Sequence, residues 1–339
     1  MSTDYLGKLG GIHMRTFKRL TAGLLAVLLL AASTGCGSIL NSPRRTSSDS
    51  EPDLRFTKGG NDTAPDWTYY EGLHAFADAV SSEVLLNSSP AAEHANRLYS
   101  PTGLYYTLGH LAAGTKGTAK EELNNLMQIT DDEAFQAQNV ALPQALKKGN
   151  PYGETDLAAS LWFDAGRVVP QKTFVERFKS MPECEVLQRD FADPQTVGEM
   201  SRWVSDRTRQ MIQPQIENDP DAVMQLMSAL YFACEWVDRF DENENREAPF
   251  TTFDGSEMPA TYMTRRYDSH RFVRGRNFTA SSLPLKSGSM TFVLPDEGVS
   301  VEDLLQDPGV WQKVRGEDPV AQGQAGEVIW EVPKFKTNG

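Results

Sequence analysis

Leu73, Phe76, Ala77, Val80 and Val84 recur at helical spacing, which predicts a first amphipathic helix from residue 71 onward with a single apolar stripe. A second helix is predicted over residues 101–113, carrying Leu104, Leu108, Leu111 and Ala112 and closed by Gly114. Thr118, with Glu121 three residues later, fits a capping box, in which hydroxyl and carboxylate satisfy orphan backbone donors ahead of Leu123, Leu126 and Met127. Residues 131–148 read as a surface helix and 170–180 as a short one. Asp193 then supplies a cap with Pro194 in the first turn, and Val197, Met200, Trp203, Val204 and Met211 extend a long helix with one apolar side.

Between and after these helices the period changes. Residues 156–163 form a run dense in apolar side chains, and 183–188 are strand-like. Residues 222–233 are apolar at nearly every position, which predicts a central strand buried on both faces. Beyond Phe250 the pattern becomes short strands separated by turns, at 271–273, 282–285, 290–294 and 327–332. No internal repeat is present. A helix-rich first half and a strand-rich second half without βαβ alternation imply an α+β fold, with N-terminal helices packed on large mixed sheets.

The N-terminus is organised differently. Arg15, Lys18 and Arg19 precede an apolar run over residues 22–32, followed by Ser33, Thr34, Gly35 and Cys36. This is the three-part layout of a secretory signal, and a run of about 11 residues is too short to span a bilayer as a helix. Small residues before a cysteine resemble the bacterial lipobox, which would place a lipid on Cys36; Ser33 stands where a Leu is usual. Met14 opens a cleaner signal than Met1. The expected organisation is therefore a signal over 1–35, a polar, aperiodic tether over 36–66 and one domain over 67–339.

The formal charge of −13 includes four basic residues against Asp4 in the first 35, so the remainder stands at about −16. Nucleic acid is disfavoured as a partner. Cys184 and Cys234 lack the spacing of a zinc or redox motif and read as half-buried cysteines of no chemical consequence. HExxH, GxSxG, Walker, CxxC and EF-hand patterns are absent. His74 and His110 fall on predicted helices and read as satisfied, partly buried imidazoles. Asp131 and Asp132 suit a helix start, and Asp296-Glu297-Gly298 suits a turn rather than a cation site. Asn61, Asn87 and Asn277 match the glycosylation acceptor but read as bare loop residues behind a bacterial-type leader. The chain therefore offers no nucleophile–base arrangement, no metal set and no implied cofactor, and the expectation is that it is not an enzyme.

A family resemblance supplies what the motifs do not. The segments Asn96-Arg97-Leu98-Tyr99-Ser100-Pro101-Thr102-Gly103-Leu104 and Leu111-Ala112-Ala113-Gly114-Thr115-Lys116-Gly117-Thr118-Ala119 resemble the serpin stretch in which Ser-Pro opens helix B and a Gly-Thr turn leads to helix C. Leu226-Met227-Ser228-Ala229-Leu230-Tyr231-Phe232-Ala233-Cys234-Glu235-Trp236 is similar to the third strand of that family's sheet A, continued by Phe240-Asp241 and by Arg246-Glu247-Ala248-Pro249-Phe250. Met258-Pro259 with Met263, Leu283-Pro284-Leu285, Phe292-Val293-Leu294-Pro295-Asp296-Glu297-Gly298 and Val332-Pro333-Lys334-Phe335-Lys336 follow in the family's order. The resemblance runs from about residue 70 to residue 336.

The resemblance implies a protease trap, in which a bait loop inserts into sheet A after cleavage. It implies a shutter at Ser100, Pro101, Thr102, Gly103 and Ser228, and a breach at Trp236 where a loop first enters. Gly103 stands where the family usually has a second serine, and Ser228 where it has asparagine, so the shutter is expected to be weaker or to be satisfied by water. It also implies that the last strands and the reactive-centre loop lie beyond this chain, leaving an unpaired sheet edge, an aggregated or loosely packed product and no inhibition by insertion. The expected partners are serine or cysteine proteases and a membrane reached through the lipid. Lys147 and Lys148 are too sparse to bind heparin. The expected place is outside the cell, at its surface. The alternatives are a non-inhibitory surface binding lipoprotein, a non-functional truncated product and, last, a hydrolase with an unfamiliar site.

Overall fold

A computed structural model describes residues 26–27, 65–87, 96–217, 219, 221–252, 255–314 and 324–335. Cys36, the leader around residues 26–27, almost all of the tether, Asn61 and Lys336 lie outside the described residues. Six helices come first: α1 (Trp67–Asn87), α2 (Pro101–Gly114), α3 (Thr118–Leu126), α4 (Asp132–Gly149), α5 (Lys172–Ser180) and α6 (Pro194–Arg207). Asp66 opens α1, its carboxylate accepting from the Tyr69 N–H at 3.1 Å.

The first sheet has β4 (Met224–Cys234) antiparallel to β2 (Gly153–Phe163), with β3 (Cys184–Gln188) parallel on the far side of β2. A two-residue β1 (Ala26–Val27) runs parallel to β4 at Ser228 and Ala229. Alternation along β2 and β4 divides their side chains between two layers. Leu157, Ala159, Leu161, Leu226 and Leu230 join the core of α1, α2 and α4, whereas Ala158, Trp162, Met227 and Ala229 pack on Met200, Trp203 and Val204 of α6. The central strand is thus covered on both faces, as its unbroken apolar run predicts.

The second sheet is β5 (Arg246–Thr251), β6 (Glu257–Arg274), β7 (Phe278–Leu285) and β8 (Gly288–Pro295), with β9 (Gln324–Pro333) also paired to β6. α7 (Val301–Leu305) and α8 (Pro308–Val314) cover Phe278 and Ala280. The architecture is α+β with helices on mixed sheets.

Several local expectations are corrected. Thr118 does not cap α3: Gly117, at φ +61°, occupies that place with no side-chain cap bond, so Thr118 is already helical. A capping box is instead closed by Ser300 and Asp303 at α7. The long helix ends at Arg207, because Arg209 and Gln210 take positive φ and turn the chain outward, leaving Met211 exposed. Residues 271–273 are the end of the 18-residue β6, whose register shifts between Tyr267 and His270. Residues 131–148 are more than a surface helix, since α4 buries Phe135, Asn139 and Leu142. The stripe on α2 is also broader than the leucine spacing shows. Tyr105, Tyr106, Thr107 and His110 are buried there, because α2 lies between the sheet and α4.

Candidate functional site

Ser100 and Pro101 start α2, and the start is determined locally. Ser100 is extended, its hydroxyl accepts from the Gly103 N–H at 3.0 Å, and Pro101 fills the first turn where no N–H is needed. Thr102 sits half-buried beside them. β4 brings Ser228 to this turn from 125 residues away, its hydroxyl donating to the Gly103 carbonyl at 3.1 Å. Thr107, one turn on, donates to the same carbonyl at 2.7 Å.

Gly103 matters for what it lacks. A Cβ there would lie 3.2 Å from Ser228 Oγ and 3.3 Å from Ser100 Oγ, tight enough that both hydroxyls would have to give. The two serines therefore bind the backbone of one residue from both sides, Ser100 accepting from its N–H and Ser228 donating to its carbonyl, and the backbone of Gly103 takes the place of a polar side chain. The expected weaker or water-satisfied contact is here a set of direct hydrogen bonds. Across β4 the neighbours are small: Ala158 faces Ala229, and Ala159 faces Ser228.

Trp236 lies two residues beyond the end of β4, which is itself about 20 Å along the strand from Ser228. It is half-buried, forms a bridge to Leu285 and packs edge-on to Phe240 with ring centroids 5.9 Å apart. Backbone bonds from Val237 to Pro284 and from Lys286 to Glu235 fasten this loop to the end of β7. Trp236, Phe240, Met263, Asn245 and Lys334 line an open cavity of about 280 Å³. At its rim Glu235 accepts from Lys286 at 2.7 Å and pairs with Arg239 at 2.8 Å, and these two cations hold its carboxyl down at about 2. Ser100, Pro101, Thr102, Gly103 and Ser228 thus form one contact, and Trp236 stands apart from it.

The buried titratable groups nearby are set for structure. Burial, aided by the charge of Arg177, holds the His110 imidazole down at about 3, and its Nδ1 is 3.4 Å from the Asn139 amide nitrogen. Burial pushes the Cys184 thiol up to about 11, with Tyr106 Oη 3.4 Å away. A neutral imidazole 4.0 Å from a protonated thiol is a poor nucleophile–base pair. Among the described residues no group of three His, Cys, Asp or Glu side chains could hold a metal ion, and no helix is long and apolar enough to cross a membrane. Thr107 and the Gly103 peptide are the members of the contact that motif reading missed. Their signal was a glycine followed four residues later by threonine on one helix face.

Comparison with known proteins gives one result. Residues 76–339 match the family model described as Serpin (serine protease inhibitor). Serpin-ZX of Arabidopsis thaliana is 24% identical over 264 residues, which cover 72% of this chain and 66% of that relative, so the chain spans just under two thirds of its length. Human thyroxine-binding globulin superposes with a TM-score of 0.68 at 20% identity, covering 79% of this chain and 73% of the other. The thermophilic serpin tengpin in its native state gives 0.66 at 21%, covering 80% and 68%. At these identities the superpositions establish the fold.

Proposed function

This chain belongs to the serpin family, and on that premise we propose that it serves as an inhibitor of serine-type or cysteine-type endopeptidases. Its family is one of protease inhibitors rather than enzymes. The observation that carries the reading is the edge of β4 beside the Gly103 contact. β4 is paired with β2 along its whole length on one side and, among the described residues, only with the two-residue β1 on the other. Ser228 ties that strand to the start of α2 through the Gly103 carbonyl. An edge paired over so short a stretch presents backbone groups that another strand can take up. Ser100, Pro101, Thr102, Gly103 and Ser228 are the shutter of that edge, and Trp236 marks the end at which a strand enters.

Export and anchoring belong to the same proposal. The leader over residues 1–35 directs the protein out of the cytoplasm, Cys36 takes the lipid, residues 36–66 act as a tether and residues 67–339 contribute the inhibitory domain. The protein then faces its target proteases at the cell surface. The full-length protein, mixed with a panel of serine and cysteine proteases and resolved under denaturing conditions, should give a one-to-one adduct with at least one of them. Proteases that all stay active and uncomplexed would leave the non-inhibitory binding protein as the better reading. Cys36→Ala should move the protein out of the membrane fraction or leave the leader uncleaved; normal cleavage with unchanged retention would refute the anchor.

A further inference from the structure

The edge of β4 away from β2 carries a strand from a distant part of the same chain. β1 (Ala26–Val27) runs parallel to β4, with Ala26 opposite Ser228 and Val27 opposite Ala229, and it also lies against α2. Those two residues stand in the middle of the leader's apolar run, Ala22 to Ala32. The same register carried both ways sets Ala22 opposite Met224 and Ala32 opposite Cys234, which are the two ends of β4. Run and strand are each 11 residues long, and the observed register makes them coincide end to end. The chain from Ala32 to the start of α1 at Trp67 can span on the order of 100 Å, so the connection leaves the pairing free to form.

Two properties of the leader fit that place. Residues 22–32 hold no polar side chain. β4 is covered on both faces, with Leu226 and Leu230 in the core against α2 and Met227 and Ala229 against α6, so a strand beside it needs apolar residues at consecutive positions. The second property is charge. A parallel strand brings the start of the leader beside the segment that leads into β4, and Arg15, Lys18 and Arg19 precede the run as Glu217, Asp219 and Asp221 precede the strand. In the carried register Arg19 stands level with Asp221 and Arg15 with Glu217. These three carboxylates are exposed and form no ion pair among the described residues. At the other end of β4, where an antiparallel strand would put the basic residues, Glu235 is already paired with Lys286 and Arg239. Strand direction and charge therefore agree independently.

We propose that the edge of β4 is a docking surface for this chain's own leader. While the leader is attached, its apolar run pairs along β4 as a parallel strand and its basic residues lie beside Glu217, Asp219 and Asp221. The docked leader closes an edge that would otherwise pair with another copy of the chain, and any strand entering there has to displace it. Cleavage before Cys36 then opens the edge. The docking holds whether or not the protein inhibits a protease; only its consequence for an entering strand rests on that reading.

Hydrogen exchange on the full 339-residue chain, made by membrane-free translation so that the leader is retained and read amide by amide, tests this. Alternate β4 amides point away from β2 and find a strand partner only on the side of β1. Ala26→Pro together with Val27→Pro removes whichever N–H faces β4, and should speed those amides about tenfold or more while the amides bonded to β2 keep their rate. That internal control separates undocking from a folding defect. Asp219→Asn with Asp221→Asn preserves the turn bond from the Asp221 N–H to the side chain at 219, 3.0 Å long. At low salt it should speed the same outward amides about twofold to threefold. Unchanged exchange in either variant, or equal acceleration of the amides bonded to β2, would overturn the proposal. No protease enters the measurement, so its outcome is separate from that of the inhibitor reading.

Discussion

The sheet of β2, β3 and β4 and the sheet of β5 to β9 differ in how many of their faces are covered. In β2 the six residues from Leu157 to Trp162 are all buried, and in β4 the five from Leu226 to Leu230. β6, at 18 residues the longest strand, has no fully buried residue, and β8 has none either. The second sheet keeps small cores, such as Leu283, Trp330 and Val332, while Ile329 is 60% exposed and Leu294 is 70% exposed. A strand between two helical layers must be apolar at consecutive positions, whereas a strand covered on one face need be apolar only at every second one. The difference teaches where the chain stores its resistance to unfolding, namely in the sheet whose strands are covered on both faces.

The sharpest way to break that comparison is acid. His110 is buried against α4 and α5 with its proton affinity depressed, so the unfolded chain protonates first as pH falls. Its contribution is present above the unfolded value near 6.5 and is lost as pH falls towards about 3. The loss could reach about 5 kcal/mol, taking ~1.36 kcal/mol per pH unit. Denaturant titrations of the wild type should show a steep fall across that window that is absent from His110→Phe; parallel curves would show that the imidazole is not the cause. Next in size is Leu161→Ala, which empties a fully buried site between the helices and should cost about 2–5 kcal/mol by chemical unfolding.

Ser228→Ala sharpens the picture within the first sheet. It removes one donor to the Gly103 carbonyl, which keeps the Thr107 hydroxyl, so the expected cost is about 1 kcal/mol. A loss above about 3 kcal/mol would mean that the hydroxyl holds more than one contact. The smallest effect is expected on the other sheet, where Ile329→Ala should change stability by no more than about 0.5 kcal/mol. A large loss there would erase the distinction between the two sheets.

Much of this was legible in the sequence where local chemistry decides the outcome. Asp193-Pro194 set the start of α6, Ser100-Pro101 that of α2, and the unbroken run at 222–233 announced a doubly covered strand. Failures came where distant contacts override local preference. Thr118 lost its capping role to the positive-φ Gly117, α2 is buried on more than its leucine stripe because α4 lies over it, and β6 read as a short strand because its exposed faces interrupt the pattern. The family resemblance named Ser100, Gly103 and Ser228, yet not the arrangement, because two serines meeting on the backbone of one glycine is a tertiary fact. The ion pairs of Arg207 with Glu185 on β3 and of Arg209 with Glu154 on β2 left no signal, since the partners are 22 and 55 residues apart.

Inhibition by insertion requires the edge of β4 away from β2 to accept a strand. Thermal unfolding of the full-length protein, before and after limited cleavage by a target protease, tests this most directly. A loop that enters the sheet adds a paired strand to a doubly buried core, so the account predicts a cleaved form with a markedly higher Tm. A cleaved form that melts at the same temperature as the intact protein, or below it, would contradict the account.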